Sequence, residues 1–286
     1  MKITNDYNLP DAFINFVSNV RHNNKGEVSA TTILKGAKEI VLTDRHFDEI
    51  EVDASEMVWS TFGTAFHSVM EKQSENNDVF KEERLTYSVD GLTVTGRLDR
   101  YDMATGTVED WKTASVWKII KCDFQDWEEQ GLVYAWLLRK NNLPCSKIRF
   151  IALLKDHSKT EAKRNADYPQ KPVYTIEFKI TDEKIKAIEE KIKAKISDVK
   201  KAQELADDDI APCSEHERWA TQTKYAVMKN GRKTALKLFD KIEDAEQMAS
   251  TDNNYYVDKR NGESKKCLDY CPCADFCNFR KKLEEK

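Results

Sequence analysis

The segment from Gly96 to Lys112 constrains this chain most. Gly96-Arg97-Leu98-Asp99 and Asp110-Trp111-Lys112 flank Met103-Ala104-Thr105-Gly106, a tight-turn sequence ending in glycine. Folded about that turn as a β-hairpin, the segment brings Asp99 directly opposite Asp110. Side chains alternate faces along a strand, so Asp110 and Lys112 share one face, as do Arg97 and Asp99. Directly opposed residues have Cβ atoms roughly 4.5–5.5 Å apart. Two carboxylates at that spacing repel unless a cation lies between them. Hard divalent ions such as Mg²⁺ are held by one or two carboxylates together with substrate phosphates. The hairpin thus points to metal-dependent phosphate chemistry. A register slip of one residue would put Glu109 in place of Asp110, but it would also turn Lys112 away.

Around the hairpin, the apolar pattern switches between helical and strand periods. Asp53 and Glu56 have the spacing of a capping box, predicting an amphipathic helix to about Lys72 with Val58, Phe62, Ala65 or Phe66, and Val69 as its buried stripe. Strands are expected over 84–89, 92–101 and 107–113, with Asp90-Gly91 as a hairpin turn. A helix over about 123–141, strands near 147–155 and 173–180, and a long helix over about 182–206 follow. That last helix carries Ile185, Ile188, Ile192, Ile196 and Val199 at spacings of three and four. Residues 224–228 and 234–239 read as a second hairpin about Asn230-Gly231, then a short helix (242–249) and a strand (255–259). The expected architecture is α/β. A mixed central sheet flanked by helices occupies residues 1–210, and a small α+β subdomain with a basic hairpin occupies residues 211–286.

The first helix places Gly63, His67 and Glu71 on one face, away from the apolar stripe. Glycine inside a helix costs about 1 kcal/mol relative to alanine, which suggests a close approach at Gly63. Gln130 and Tyr134 pair in the same way on the second helix. In the tail, Cys267-x3-Cys271-x-Cys273-x3-Cys277 gathers four soft ligands, and all-cysteine ligation suits tetrahedral zinc or an iron–sulfur cluster. Cys122 and Cys145 read as ordinary thiols.

The ordered set Gly63-x3-His67-x3-Glu71, Gly96-x2-Asp99, Asp110-x-Lys112 and Gln130-x3-Tyr134 resembles the RecB-like branch of the PD-(D/E)XK nuclease superfamily, over about residues 28–155. The resemblance implies a metal-dependent DNA nuclease, an exonuclease acting on linear ends in recombination or repair as in phage and prophage modules. It implies Mg²⁺ or Mn²⁺ held by His67, Asp99, Asp110 and the Trp111 carbonyl. Lys112 would act on the attacking water and the phosphate charge. Glu71 would support the ion's water shell or His67, and Gln130 and Tyr134 would position DNA or brace the site. Relatives of this kind hold a [4Fe–4S] cluster, which here implies Cys213, Cys267, Cys271 and Cys277 as ligands with Cys273 spare. A structural Zn²⁺ site is the alternative. A DNA substrate is implied, with a recombinase or single-strand-annealing protein as partner. Two other classes fit the residues: a non-catalytic DNA-binding or scaffold protein keeping this fold, and a hydrolase of small phosphoesters.

A net charge of −4 with 34% charged residues excludes a globally basic nucleic-acid coat, so any phosphate-binding surface must be local or supplied by cations. Lys229, Arg232, Lys233 and Lys237 form such a patch, with Trp219 and Tyr225 available for stacking. No apolar run is long enough to span a membrane; the longest, Ile148 to Leu154, reads as a buried strand. The first residues lack the apolar core of a signal peptide, so a cytoplasmic location and reduced cysteines are expected.

Overall fold

The computed structural model describes residues 1–19, 24–73 and 78–284. In chain order the strands are β1 (Lys2–Thr4), β2 (Glu27–Ser29), β3 (Glu51–Asp53), β4 (Val79–Val89), β5 (Leu92–Asp102), β6 (Thr107–Ala114), β7 (Lys147–Leu154), β8 (Val173–Lys179), β9 (Lys224–Lys229), β10 (Lys237–Phe239) and β11 (Tyr255–Arg260). The helices are α1 (Asp11–Val17), α2 (Ala37–Arg45), α3 (Val58–Glu71), α4 (Val116–Ile120), α5 (Gln125–Lys140), α6 (Lys159–Arg164), α7 (Asp182–Gln203), α8 (Ile242–Ala249), α9 (Lys265–Asp269) and α10 (Asn278–Glu284). The chain divides into two compact units. One comprises residues 1–35 and 46–204; the other comprises 36–45 and 205–286. The division falls at 204/205, and α2 belongs with the tail. No described helix is long and apolar enough to cross a membrane.

The first unit is a mixed α/β layer built on a six-stranded sheet. Strand β5 pairs antiparallel with β4 along one edge; along its other edge it meets β2 (parallel) at its start and β6 (antiparallel) at its end. Strands β7 (parallel to β6) and β8 (antiparallel to β7) complete it. Asp90 and Gly91 both have positive φ (48° and 78°), the backbone of a tight primed turn joining β4 to β5. Helix α5 packs on the sheet through Trp127, Val133, Trp136 and Leu137, all buried. Two glycines permit this approach. A Cβ on Gly131 would lie 2.8 Å from Ile148 Cδ1, and one on Gly96 would lie 2.6 Å from Leu137 Cδ1. The apolar stripe of α7 is buried as its spacing predicts.

Helix α3 departs from expectation. Asp53 accepts from Ser55 N at 2.9 Å and caps a short 3₁₀ turn, so the predicted start lies one turn ahead of the α-helix, which begins at Val58. Its apolar stripe is not buried, however: Val58, Phe62 and Val69 are exposed, as is Trp59. The helix instead turns Phe66 onto Trp111, with ring centroids 5.5 Å apart, and His67 towards β5 and β6. Polar and glycine positions face the sheet because the site lies there. Gly63 is not crowded either; its nearest neighbour for a Cβ would be Thr113 Oγ1 at an ordinary 3.6 Å.

In the second unit, strands β10, β9 and β11 form an antiparallel sheet alongside α8. Helix α2 is anchored by a buried ammonium. Lys38, 2% exposed, donates to Asp207 O (3.0 Å), Ile210 O (2.8 Å) and Asn278 Oδ1 (2.8 Å). These satisfy all three donors of the lysine.

Candidate active site

The β5–β6 hairpin has the register read from its turn. Asp102 pairs with Thr107, Tyr101 with Val108, and Arg100 with Glu109, which makes Asp99 and Asp110 the next opposed positions. The ladder stops there and the strands part, while β6 stays paired with β7 throughout. In place of a strand hydrogen bond, Asp99 Oδ2 accepts from Trp111 N at 2.8 Å. Glu109 does not enter the site, because Arg100 (2.8 Å) and Arg149 (3.1 Å) hold it.

His67 reaches this opening from α3. Its Nδ1 lies 3.1 Å from Asp99 Oδ1 and its Nε2 3.2 Å from the Trp111 carbonyl oxygen. Both ring nitrogens face acceptors, and the Asp99 hydrogen bond raises the imidazole pKa. Asp99, His67 and the Trp111 carbonyl thereby converge.

Asp110 lies 2% exposed beside them. Lys112 Nζ is 2.6 Å from Asp110 Oδ2, a buried ion pair. Burial, reinforced by Asp99, pushes the Asp110 carboxyl up to about 6 against the opposing pull of Lys112. Gln130 ties the site to α5. It accepts from Lys112 Nζ (2.9 Å) and donates to Tyr134 OH (2.7 Å), with a longer contact to Asp110 Oδ1 (3.3 Å). Burial pushes the Tyr134 hydroxyl well above its ordinary range, so it stays protonated.

One residue was missed by the sequence reading. Glu82 offers a carboxylate oxygen that lies, with ligand atoms of His67 and Asp99, within 4.8 Å of each of the others. Its φ of 52° interrupts β4 between the pairs Lys81↔Arg100 and Glu83↔Leu98. Burial, then Asp99 and Glu71, raise its carboxyl pKa. A signal for it existed: counting from the Asp90-Gly91 turn sets Glu82 opposite Asp99. Glu71 lines the same cleft, of roughly 830 Å³, together with His67, Glu82, Arg97 and Asp99.

The second unit gathers five cysteines. Cys271 Sγ is 3.5 Å from Cys273 Sγ, and Cys273 Sγ is 3.8 Å from the Glu39 carbonyl oxygen. Burial raises the Cys213 thiol to about 11, and raises Cys267 as well. A Cβ on Gly36 would lie 2.3 Å from Cys213 Sγ, so this glycine leaves room for the thiol. Among the described residues no three cysteine sulfurs lie within 4.8 Å of one another. Lys229, Arg232, Lys233 and Lys237 are exposed on and beside β9 and β10. Lys237 Nζ sits 4.9 Å from the Phe239 ring, and Trp219 packs at 5.4 Å against Tyr270.

Comparison with solved structures finds partial likenesses. SSO0001 is 14% identical with a TM-score of 0.42, over 63% of this chain and 80% of its own. A phage-related exonuclease from Haemophilus somnus 129PT is 14% identical (TM-score 0.36; 63% and 94%). An alkaline exonuclease from Laribacter hongkongensis is 12% identical (TM-score 0.38; 63% and 90%). No protein-family model matches the chain, and no curated protein matches it.

Proposed function

We propose that this chain is a metal-dependent DNA nuclease that hydrolyses phosphodiester bonds at linear DNA ends, in recombination or repair. The observation that carries the reading is the convergence of Asp99, His67 and the Trp111 carbonyl beside the buried Asp110–Lys112 ion pair. That donor set is hard oxygen with one imidazole, which suits Mg²⁺ or Mn²⁺. The carboxylates of Asp99 and Asp110 outnumber the one ammonium beside them, and a divalent ion would offset the difference. His67, Asp99, Asp110 and the Trp111 carbonyl would hold the ion, which supplies a nucleophilic water and charge for the phosphate.

The chain's own groups do the rest. Lys112, held by Gln130, presents a fixed ammonium where the water and phosphate meet. Tyr134 keeps Gln130 in position, so the ammonium is oriented before substrate arrives. Glu71 borders the cleft and orders water around the ion. Lys229, Arg232, Lys233 and Lys237 supply a track for the phosphate backbone, and the partner is a recombinase or single-strand-annealing protein. Cys213, Cys267, Cys271 and Cys277 hold a [4Fe–4S] cluster. All-cysteine ligation is the chemistry that such a cluster requires.

The test is digestion of linear and circular DNA with Mg²⁺ or Mn²⁺, alongside iron and zinc analysis. Linear DNA is consumed, a chelator stops it, and Asp99→Ala or Lys112→Ala loses at least about a hundredfold in rate. A chain that shifts DNA mobility without consuming it, or variants that cleave at full rate, overturns the reading.

A further inference from the structure

Trp219 holds a backbone conformation that suits glycine. Its φ is 50°, a left-handed value that is costly for so bulky a side chain and persists only where the surroundings impose it. Here they impose it from both sides. Trp219 N donates to His216 O (3.1 Å), Ala220 N to Glu215 O (2.9 Å) and Lys266 N to Arg218 O (3.1 Å). The fold gains little burial in return, since Trp219 is 52% exposed. Strain spent on presenting a ring to solvent points to something that the ring meets there.

The indole has company. The Tyr270 ring, 66% exposed, lies 5.4 Å away at 53°, a tilt at which neither ring covers the face of the other. Lys266 Nζ sits 5.6 Å from the Trp219 ring, and the buried Glu39 holds that ammonium at 2.6 Å. The bridge between Ala220 and Ser264 keeps the register of β9 and β11, so the next pair sets the exposed Lys265 opposite Trp219. Two ammonium groups beside the rings disfavour a cationic ligand and favour an anionic one. Trp219 lies five residues ahead of Lys224, where β9 begins, and so within roughly 18 Å of the strand that leads to Lys229, Arg232 and Lys233. Open aromatic faces beside cations, continuous with a basic track, are what a strand with unpaired bases requires.

We propose that Trp219 and Tyr270 form a stacking platform for the bases of single-stranded DNA, fixed in place by the Glu39–Lys266 pair. The inference rests on the nuclease reading and deepens it by naming the substrate class: DNA with an unpaired end.

The test is fluorescence anisotropy of a labelled single strand of thymidine nucleotides, and of a blunt duplex, without added divalent ion. The full chain is used as purified, with metal content matched between variants. Trp219→Gly, which the left-handed backbone accommodates, and Tyr270→Ala each bind the single strand at least about fivefold more weakly than wild type. Trp219→Phe and Tyr270→Phe keep a ring and stay within about threefold of wild type, and all four variants bind the duplex within about twofold of it. Two separate positions keep the idea testable should one variant misfold. Single-strand affinity indifferent to both rings overturns the proposal, as does an equal loss on the duplex, which would mark a phosphate surface alone. The two readings separate cleanly. DNA cleavage with single-strand binding indifferent to the rings sinks only this inference; ring-dependent single-strand binding without cleavage sinks only the nuclease reading.

Discussion

Replacing Gly96 with alanine tests how the sheet and α5 together hold the site. The added Cβ would lie 2.6 Å from Leu137 Cδ1 and 3.1 and 3.2 Å from two ring carbons of Tyr134. Both residues are buried, so neither can swing aside into solvent. Overpacking of this kind costs about 1–3 kcal/mol. The stiffer unfolded chain returns about 0.4–1 kcal/mol, since Gly96 does not have positive φ. The net expectation is a loss of about 1–2 kcal/mol, or roughly 2–8 °C in Tm for a unit of this size. Gly63→Ala is the matched control. Its Cβ meets only Thr113 Oγ1 at 3.6 Å inside a helix, so it should gain up to about 1 kcal/mol. Thermal unfolding followed by tryptophan fluorescence reads both. Moving α5 outward also displaces Tyr134 and Gln130, so Gly96→Ala should slow DNA cleavage beyond what its stability loss explains. An unchanged Tm for Gly96→Ala would refute the close-packing argument.

Other perturbations have equally definite signs. Glu189 accepts from Lys193 and Lys140, which pulls its carboxyl down to about 2; its stabilisation is therefore full above pH ~4.5 and lost as pH falls towards 2. Glu189→Gln should lower stability at neutral pH and flatten the acid limb of a Tm-versus-pH curve, and an unaltered limb counts against the pairing. Lys38→Ala leaves buried acceptors unpaired and should destabilise the second unit by about 1–3 kcal/mol, seen as faster proteolysis there; protection equal to wild type contradicts it. Val69→Lys lies on the exposed stripe of α3 and should change stability by no more than about 0.5 kcal/mol, whereas a large loss of Tm would mean that stripe is buried after all.

What could be read from the sequence was local. The Gly106 turn (φ 62°) and the Asp90-Gly91 turn set strand register by counting, and α5 and α7 advertise their buried faces by period. Asp99, Asp110, Lys112, Gln130 and Tyr134 were reachable because each follows from one turn or one helix. Helix α3 misled because an apolar stripe says that a helix could bury that face, while its orientation is decided by Phe66 on Trp111 and His67 on Asp99. Glu82 was overlooked because counting was applied to one hairpin and not to its neighbour. The attachment of α2 to the tail was invisible, since Lys38 finds partners at Asp207, Ile210 and Asn278 with no local pattern linking them.

That attachment has a consequence for biosynthesis. Residues 36–45 leave the ribosome well before the segment that completes their unit, 205–286. At roughly 5–20 residues per second, the helix waits on the order of ten seconds or more for its companions. Through that interval Lys38 and Glu39 lack the neighbours that later enclose them, and a shortened chain ending near residue 204 never supplies them. The two units are therefore not separable by a single cut, and a shortened chain joining residues 36–45 directly to 205–286 is what the second unit in isolation requires.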